Sequence, residues 1–143
     1  MRRKTYMLFS ILIGTFLLLA GCTGKGLLHE RMQNAANDIT ENMLMGMQEN
    51  DYAKFSSQFD PAMKKNLSES QFKILNADIK SKLGNYIGKE FSGSEKKDNY
   101  TIVIYKGTFS QEKSDVIIRT VLSEDNGEIL VSGFWLDSPS LRK

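Results

Sequence analysis

The sequence predicts a single α+β domain in which N-terminal helices pack on a four-stranded antiparallel meander. Three observations carry this. Apolar residues recur at three- and four-residue steps as far as Leu83, Gly84 breaks that pattern, and four runs rich in β-branched and aromatic residues follow. A chain of 143 residues has room for one domain, and neither an internal repeat nor a low-complexity tract divides it.

The first element is a targeting segment. Arg2, Arg3 and Lys4 make a positive start, Tyr6 to Leu19 is an apolar run too short for a confident membrane span, and Leu19-Ala20-Gly21-Cys22 closes it. This ending resembles a bacterial lipobox. The resemblance implies that the Cys22 thiol receives a diacylglyceryl group and that the chain is cut before it. Small Ala20 and Gly21 let a peptidase approach the backbone, and a thiol is the nucleophile that forms the thioether. The alternative is an ordinary secretory signal or a single anchor helix with a chance Cys; Arg2-Arg3 lacks the rest of a twin-arginine motif. The expected organisation is residues 1–21 as signal peptide, 22–26 as lipidated Cys and short tether, 27–137 as the domain and 138–143 as a C-terminal tail. The expected location is the extracytoplasmic side of a membrane, with lipid as a partner through acylated Cys22.

The full chain has a formal net charge of +2, but without its first 21 residues it carries 16 basic against 17 acidic side chains. A nearly neutral domain gives no electrostatic reason to expect a nucleic-acid partner. One Cys and one His exclude a disulfide framework and the usual zinc ligand sets, and no cofactor is implied.

From Leu27 to about residue 49, Leu28, Met32, Ala35, Ala36, Ile39, Met43 and Met47 follow a helical period. Asp51 can cap a short second helix that puts Tyr52, Phe55 and Phe59 on one side. Asp60-Pro61 restarts the chain with a cap and a proline at the first helical position. Ser68 to Gln71 has the capping-box form, opening a helix with Phe72, Leu75, Ile79 and Leu83 on its apolar face and Gly84 as its stop. The expected strands are Tyr86 to Ser92, Tyr100 to Phe109, Val116 to Leu122 and Glu128 to Leu136. Asn126-Gly127 is a tight hairpin turn, because both residues tolerate positive φ. Gly93 to Asn99 and Ser110 to Ser114 read as longer hairpin loops.

Four segments carry a family resemblance: Asn50-Asp51-Tyr52-Ala53-Lys54-Phe55, Phe59-Asp60-Pro61-Ala62-Met63-Lys64, Leu67-Ser68-Glu69-Ser70-Gln71-Phe72 and Leu83-Gly84-Asn85-Tyr86. Together they resemble an uncharacterised domain family of prokaryotic lipoproteins, domain of unknown function family 3887. Its members are similar to the nuclear-transport-factor-2-like fold, which implies a curved, cone-like sheet. Some members precede hydrolase domains. The shared motifs are caps, turns and core positions, so the resemblance implies a fold and supplies no catalytic residue.

Strand alternation gives the one functional hint. Tyr100, Ile102 and Ile104 fall on one face and Val103 and Tyr105 on the other; Val116, Ile118 and Leu122 oppose Ile117 and Val121; Ile129, Val131 and Trp135 oppose Leu130, Phe134 and Leu136. Both faces are apolar, so the second face needs cover from a curved cavity, a partner sheet or the protein's own helices wrapping round. The expectation is a non-catalytic binding or interaction module for a small ligand or a protein, including a homodimer through the sheet face. Arg119, Trp135 and Tyr105 are the candidate ligand-binding residues, with Arg119 reaching a carboxylate from a cavity floor; a surface Arg paired with an acid is the plainer reading. The alternative function is a cone-fold enzyme of isomerase or dehydratase type, drawing a Tyr/Asp pocket from Tyr86, Tyr100, Tyr105, Asp115 and Asp137. Met43, Met45 and Met47 read as core packing rather than a thioether metal site, and His29 as solvated.

Overall fold

A computed structural model describes residues 24–143, which places the lipobox and Cys22 outside the described residues. The elements run α1 (Gly24–Glu49), α2 (Tyr52–Phe55), α3 (Pro61–Asn66), α4 (Glu69–Leu83), β1 (Tyr86–Lys97), β2 (Tyr100–Phe109), β3 (Val116–Asp125) and β4 (Glu128–Asp137). The four strands form one antiparallel sheet in the order β1-β2-β3-β4. Helices followed by an antiparallel meander make this an α+β fold, as the sequence pattern predicts. The restart at Asp60-Pro61 yields a separate helix, so four helical segments precede the sheet.

Local chemistry sets the helix ends. Asp51 accepts from the Lys54 amide, and Asp60 accepts from the Met63 amide ahead of Pro61. Ser68 and Gln71 form the reciprocal capping box. Gly84 closes α4 at φ +76, and a side chain there would collide with Ser110. At the other end of the chain, Asn126 and Gly127 both take positive φ in the β3–β4 turn.

Helix α1 lies against one face of the sheet, here the inner face, and buries Met32, Ala36, Ile39, Thr40, Met43, Leu44 and Met47. The sheet answers with Thr101, Val103, Tyr105, Phe109, Val116, Ile118, Thr120, Leu122 and Val131. Phe55, Phe59 and Phe72 close the core beside β4, with Phe55 stacked on Phe72 at 4.7 Å and edge-on to Phe134 at 5.9 Å. Met43 and Met47 are core residues, with Met45 packed beside them.

Four local expectations are corrected. Strand β1 continues to Lys97, and Asp98-Asn99 alone make the turn, with Asp98 at φ 54. The polar stretch from Gly93 to Lys97 reads as loop in sequence because an edge strand carries charge that blocks further pairing. In α4 Asn76 is buried alongside the expected Phe72 and Leu83, while Leu75 is half exposed. Asn76 Nδ2 donates to the Met47 carbonyl at 2.8 Å and Lys80 Nζ donates to the Gln48 carbonyl at 2.9 Å. These two side chains thus bond two of the C-terminal carbonyls of α1, which explains a polar residue in the core. His29 is half-buried rather than solvated, its Nδ1 hydrogen-bonded to Thr101 Oγ1 at 3.1 Å. The fourth correction concerns Trp135 and bears on function.

Candidate interaction surface

Strict alternation through β4 fails at one residue. The register steps from Val121↔Gly133 to Leu122↔Val131, so Ser132 is an extra residue. The bulge places Val131, Phe134 and Leu136 together on the inner face and turns Trp135 outward, opposite to the expected grouping of Trp135 with Val131. The Ser132 hydroxyl is hydrogen-bonded to Ser123 Oγ at 2.7 Å.

The outer face is therefore organised around Arg119. It pairs in register with Ile104 on β2 and with Trp135 on β4, while Ile117 and Val121 flank it along β3. The next row joins Ile102, Val121 and Gly133. Trp135 is 56% exposed, and its indole lies over Gly133: a Cβ built there would sit 2.5 Å from Trp135 Cζ3. Tyr100 is also exposed at the end of this face, and Ile102, Ile104, Ile117 and Val121 are half-buried. None of α1 to α4 covers it.

The third candidate, Tyr105, is on the inner face and almost fully buried. The structure thus brings Arg119 and Trp135 together and separates Tyr105 from them. Tyr105 belongs instead to a polar cluster between α1 and β1. Lys89 Nζ lies 2.9 Å from both Glu41 Oε2 and Asn37 Oδ1 and 4.9 Å from the centre of the Tyr105 ring, and the Tyr86 hydroxyl donates to Glu41 Oε2 at 2.8 Å. Burial raises the Glu41 carboxyl, but the hydrogen bonds from Lys89 and Tyr86 outweigh it and hold the group below its ordinary value. Burial, reinforced by Glu41, pushes the Tyr86 phenol far up; burial pushes Tyr105 up to about 12 against a hydrogen bond with Thr40. Both phenols stay protonated at neutral pH, and the charged pair is satisfied within the cluster. Glu41 and Lys89 are 48 positions apart, and no spacing in the sequence signals their meeting.

The Tyr/Asp pocket of the enzymatic alternative is not assembled among the described residues. Asp115 lies 3.7 Å from Lys106, and Asp137 is held bidentately by Arg142 at 2.7 and 2.8 Å. No tyrosine among the described residues hydrogen-bonds to either. The arginine bonds, with Arg119 adding at longer range, hold the Asp137 carboxyl below its ordinary value. Of the concavities, one is a partly open cleft of about 10 Å³ against Leu44, Asn76 and Tyr86, the size of one water. Another is an open groove of about 580 Å³ between α1 and the β3–β4 turn, beside Arg31, Asp38, Asn42 and Gly127. Neither is lined by Arg119, Trp135 or Tyr105. Among the described residues no group of three or more His, Cys, Asp or Glu side chains could hold a metal, and no helix is long and apolar enough to cross a membrane.

The chain's similarities agree with this architecture. A family model described as a protein of unknown function (DUF3887) matches residues 36–129, from the middle of α1 to the start of β4. Among solved structures, a designed protein of the nuclear-transport-factor-2-like class, a variant of Rd1NTF2_05, superposes with a TM-score of 0.50 over 73% of this chain and 97% of its own, at 14% identity. That likeness shows a shared cone-like fold. A comparison with curated proteins finds no match.

Proposed function

The chain belongs to the DUF3887 family of proteins of unknown function, and from that premise we propose that it is a lipid-anchored extracytoplasmic protein. Its domain acts without catalysis as an interaction module, engaging a protein partner through the outer face of the sheet. One observation carries the second part of this reading. The inner face is filled by the chain's own α1, whereas the outer face leaves Trp135 exposed beside Arg119, Tyr100 exposed at its end, and a row of half-buried aliphatic side chains between. An apolar face with an aromatic and an arginine at its centre has the composition of a binding hot spot.

The anchor rests on the sequence from Arg2 to Cys22. Only Thr23 separates Cys22 from the first residue of α1, Gly24. Two extended residues span roughly 7 Å, so an acylated Cys22 would hold the domain at the headgroups.

Two variants test the proposal. Cys22→Ala should leave precursor uncleaved and unlipidated; normal processing with undiminished membrane binding would refute the anchor. A photo-crosslinking residue at position 135 should give a discrete adduct in cells that the same residue at exposed Lys73 on α4 does not. Equal yields at both positions, or none at 135, would refute the sheet face as the interaction surface.

A further inference from the structure

We infer that the partner of the outer sheet face is a different protein that presents a carboxylate set among apolar side chains, with Arg119 as the group that receives it. This rests on the sheet face being the interaction surface and names the chemistry it selects. Arg119 is exposed at the centre of the face, between Ile104 and Trp135 across the strands and Ile117 and Val121 along its own. No ion pair engages it among the described residues. The acid on its own flank, Asp137, pairs across the strands with Ile117 and is already held by Nε and Nη2 of Arg142. The remaining outer-face acids near the centre, Glu90 and Glu95, stand on β1, two strands away, which is about 10 Å. Glu90 pairs in register with Lys106.

The face thus centres on a guanidinium that no ion pair engages among the described residues, ringed by Ile104, Ile117, Val121 and Trp135, with Lys106 and Asp137 at the next positions out and Asp137 acting on it only at longer range. Covering it with apolar surface alone would strip water from that charge and return nothing, a cost that grows with the quality of the seal. A second copy is disfavoured for the same reason. An interface with a two-fold axis through this centre sets each patch against itself, and would bring guanidinium to guanidinium with no acid between them. A carboxylate at the matching position removes the cost, because the planar fork of Arg donates two parallel hydrogen bonds to it while the flanking Ile, Val and Trp side chains exclude water.

Three blocked nine-residue peptides of alternating apolar and Ser/Thr residues, differing only in a central Glu, Gln or Lys, provide the probe. The readouts are Trp135 emission and the NMR shifts of Arg119 and its neighbours. The Glu peptide should perturb these signals with at least about tenfold tighter binding than the Gln peptide. Arg119→Glu should transfer the preference to the Lys peptide, and Arg119→Gln should abolish the preference if the charge reversal disturbs folding. Equal binding of all three peptides at the outer face would overturn the acidic partner and leave the sheet-face reading standing. No perturbation by any peptide at millimolar concentration would overturn both. Sedimentation that shows a dimer with outer-face shifts would assign the face to a second copy and overturn the inference.

Discussion

The hydroxyls of Thr40 on α1 and Thr120 on β3 meet at 2.7 Å, and both residues are completely buried. This contact joins the helix layer to the centre of the sheet. Thr40→Val keeps the shape but removes one partner of the Thr120 hydroxyl, which should cost about 1–3 kcal/mol. The Thr40→Val, Thr120→Val double variant buries two methyl groups instead, and should cost less than the sum of the singles. Urea unfolding of all four proteins measures the coupling; strictly additive losses would mean that the two hydroxyls do not depend on each other.

The ends of α4 offer a second test. Ser68→Ala removes the capping side chain and should lower stability by about 1 kcal/mol. Gly84→Ala forces a Cβ into a positive-φ position and against Ser110 and Gln111, so it should lose at least as much. Denaturation midpoints read both effects, and an unchanged midpoint for Gly84→Ala would contradict the observed φ.

The α1–β1 cluster should make stability depend on pH at both extremes. Glu41 titrates lower in the folded chain than in the unfolded one, so its contribution is present above the unfolded carboxyl value of about 4.3 and is lost as pH falls through the folded value. Glu41→Gln should be less stable than the parent near neutrality, with the gap closing below about pH 4. Tyr86 and Tyr105 are raised, so their contribution is complete below about pH 10 and is lost as pH climbs toward 12. Phenolate absorbance from these two tyrosines should therefore emerge together with alkaline unfolding. Their early titration in the folded protein would show that the cluster is open to solvent.

Gly133 and Trp135 supply a fourth. A methyl group at position 133 occupies the space of the indole ring, while the obstruction is the far end of a side chain that can swing outward. Gly133→Ala should shift Trp135 emission to the red and leave the unfolding midpoint nearly unchanged. A large loss of stability with no change in emission would place the indole elsewhere.

What was legible in the sequence was local. The caps at Asp51, Asp60 and Ser68, the stop at Gly84 and the Asn126-Gly127 turn each depend on a side chain and a backbone group within four residues, or on one residue's own φ. The alternation of β2 and β3 was equally readable, because both strands are central and regular and one face of each is sealed by α1. Together these residues determined the α+β class, the order of elements and the two-faced sheet.

The tertiary structure decided wherever a residue's role depends on a distant partner. Lys89 looks like a solvated strand residue until β1 is laid beside α1 and its Nζ meets Glu41. Asn76 takes a core position because α1 ends above it with unpaired carbonyls, and the polar end of β1 becomes strand because β2 supplies its hydrogen bonds. The orientation of Trp135 is the sharpest case. A period of two assigns faces only while the register is unbroken, and a single extra residue at Ser132, set by pairing with β3, carries the indole from the inner face to the outer. Side-chain direction within a strand is a local property, but its phase is set by the neighbouring strand, and that pairing is what put Trp135 beside Arg119.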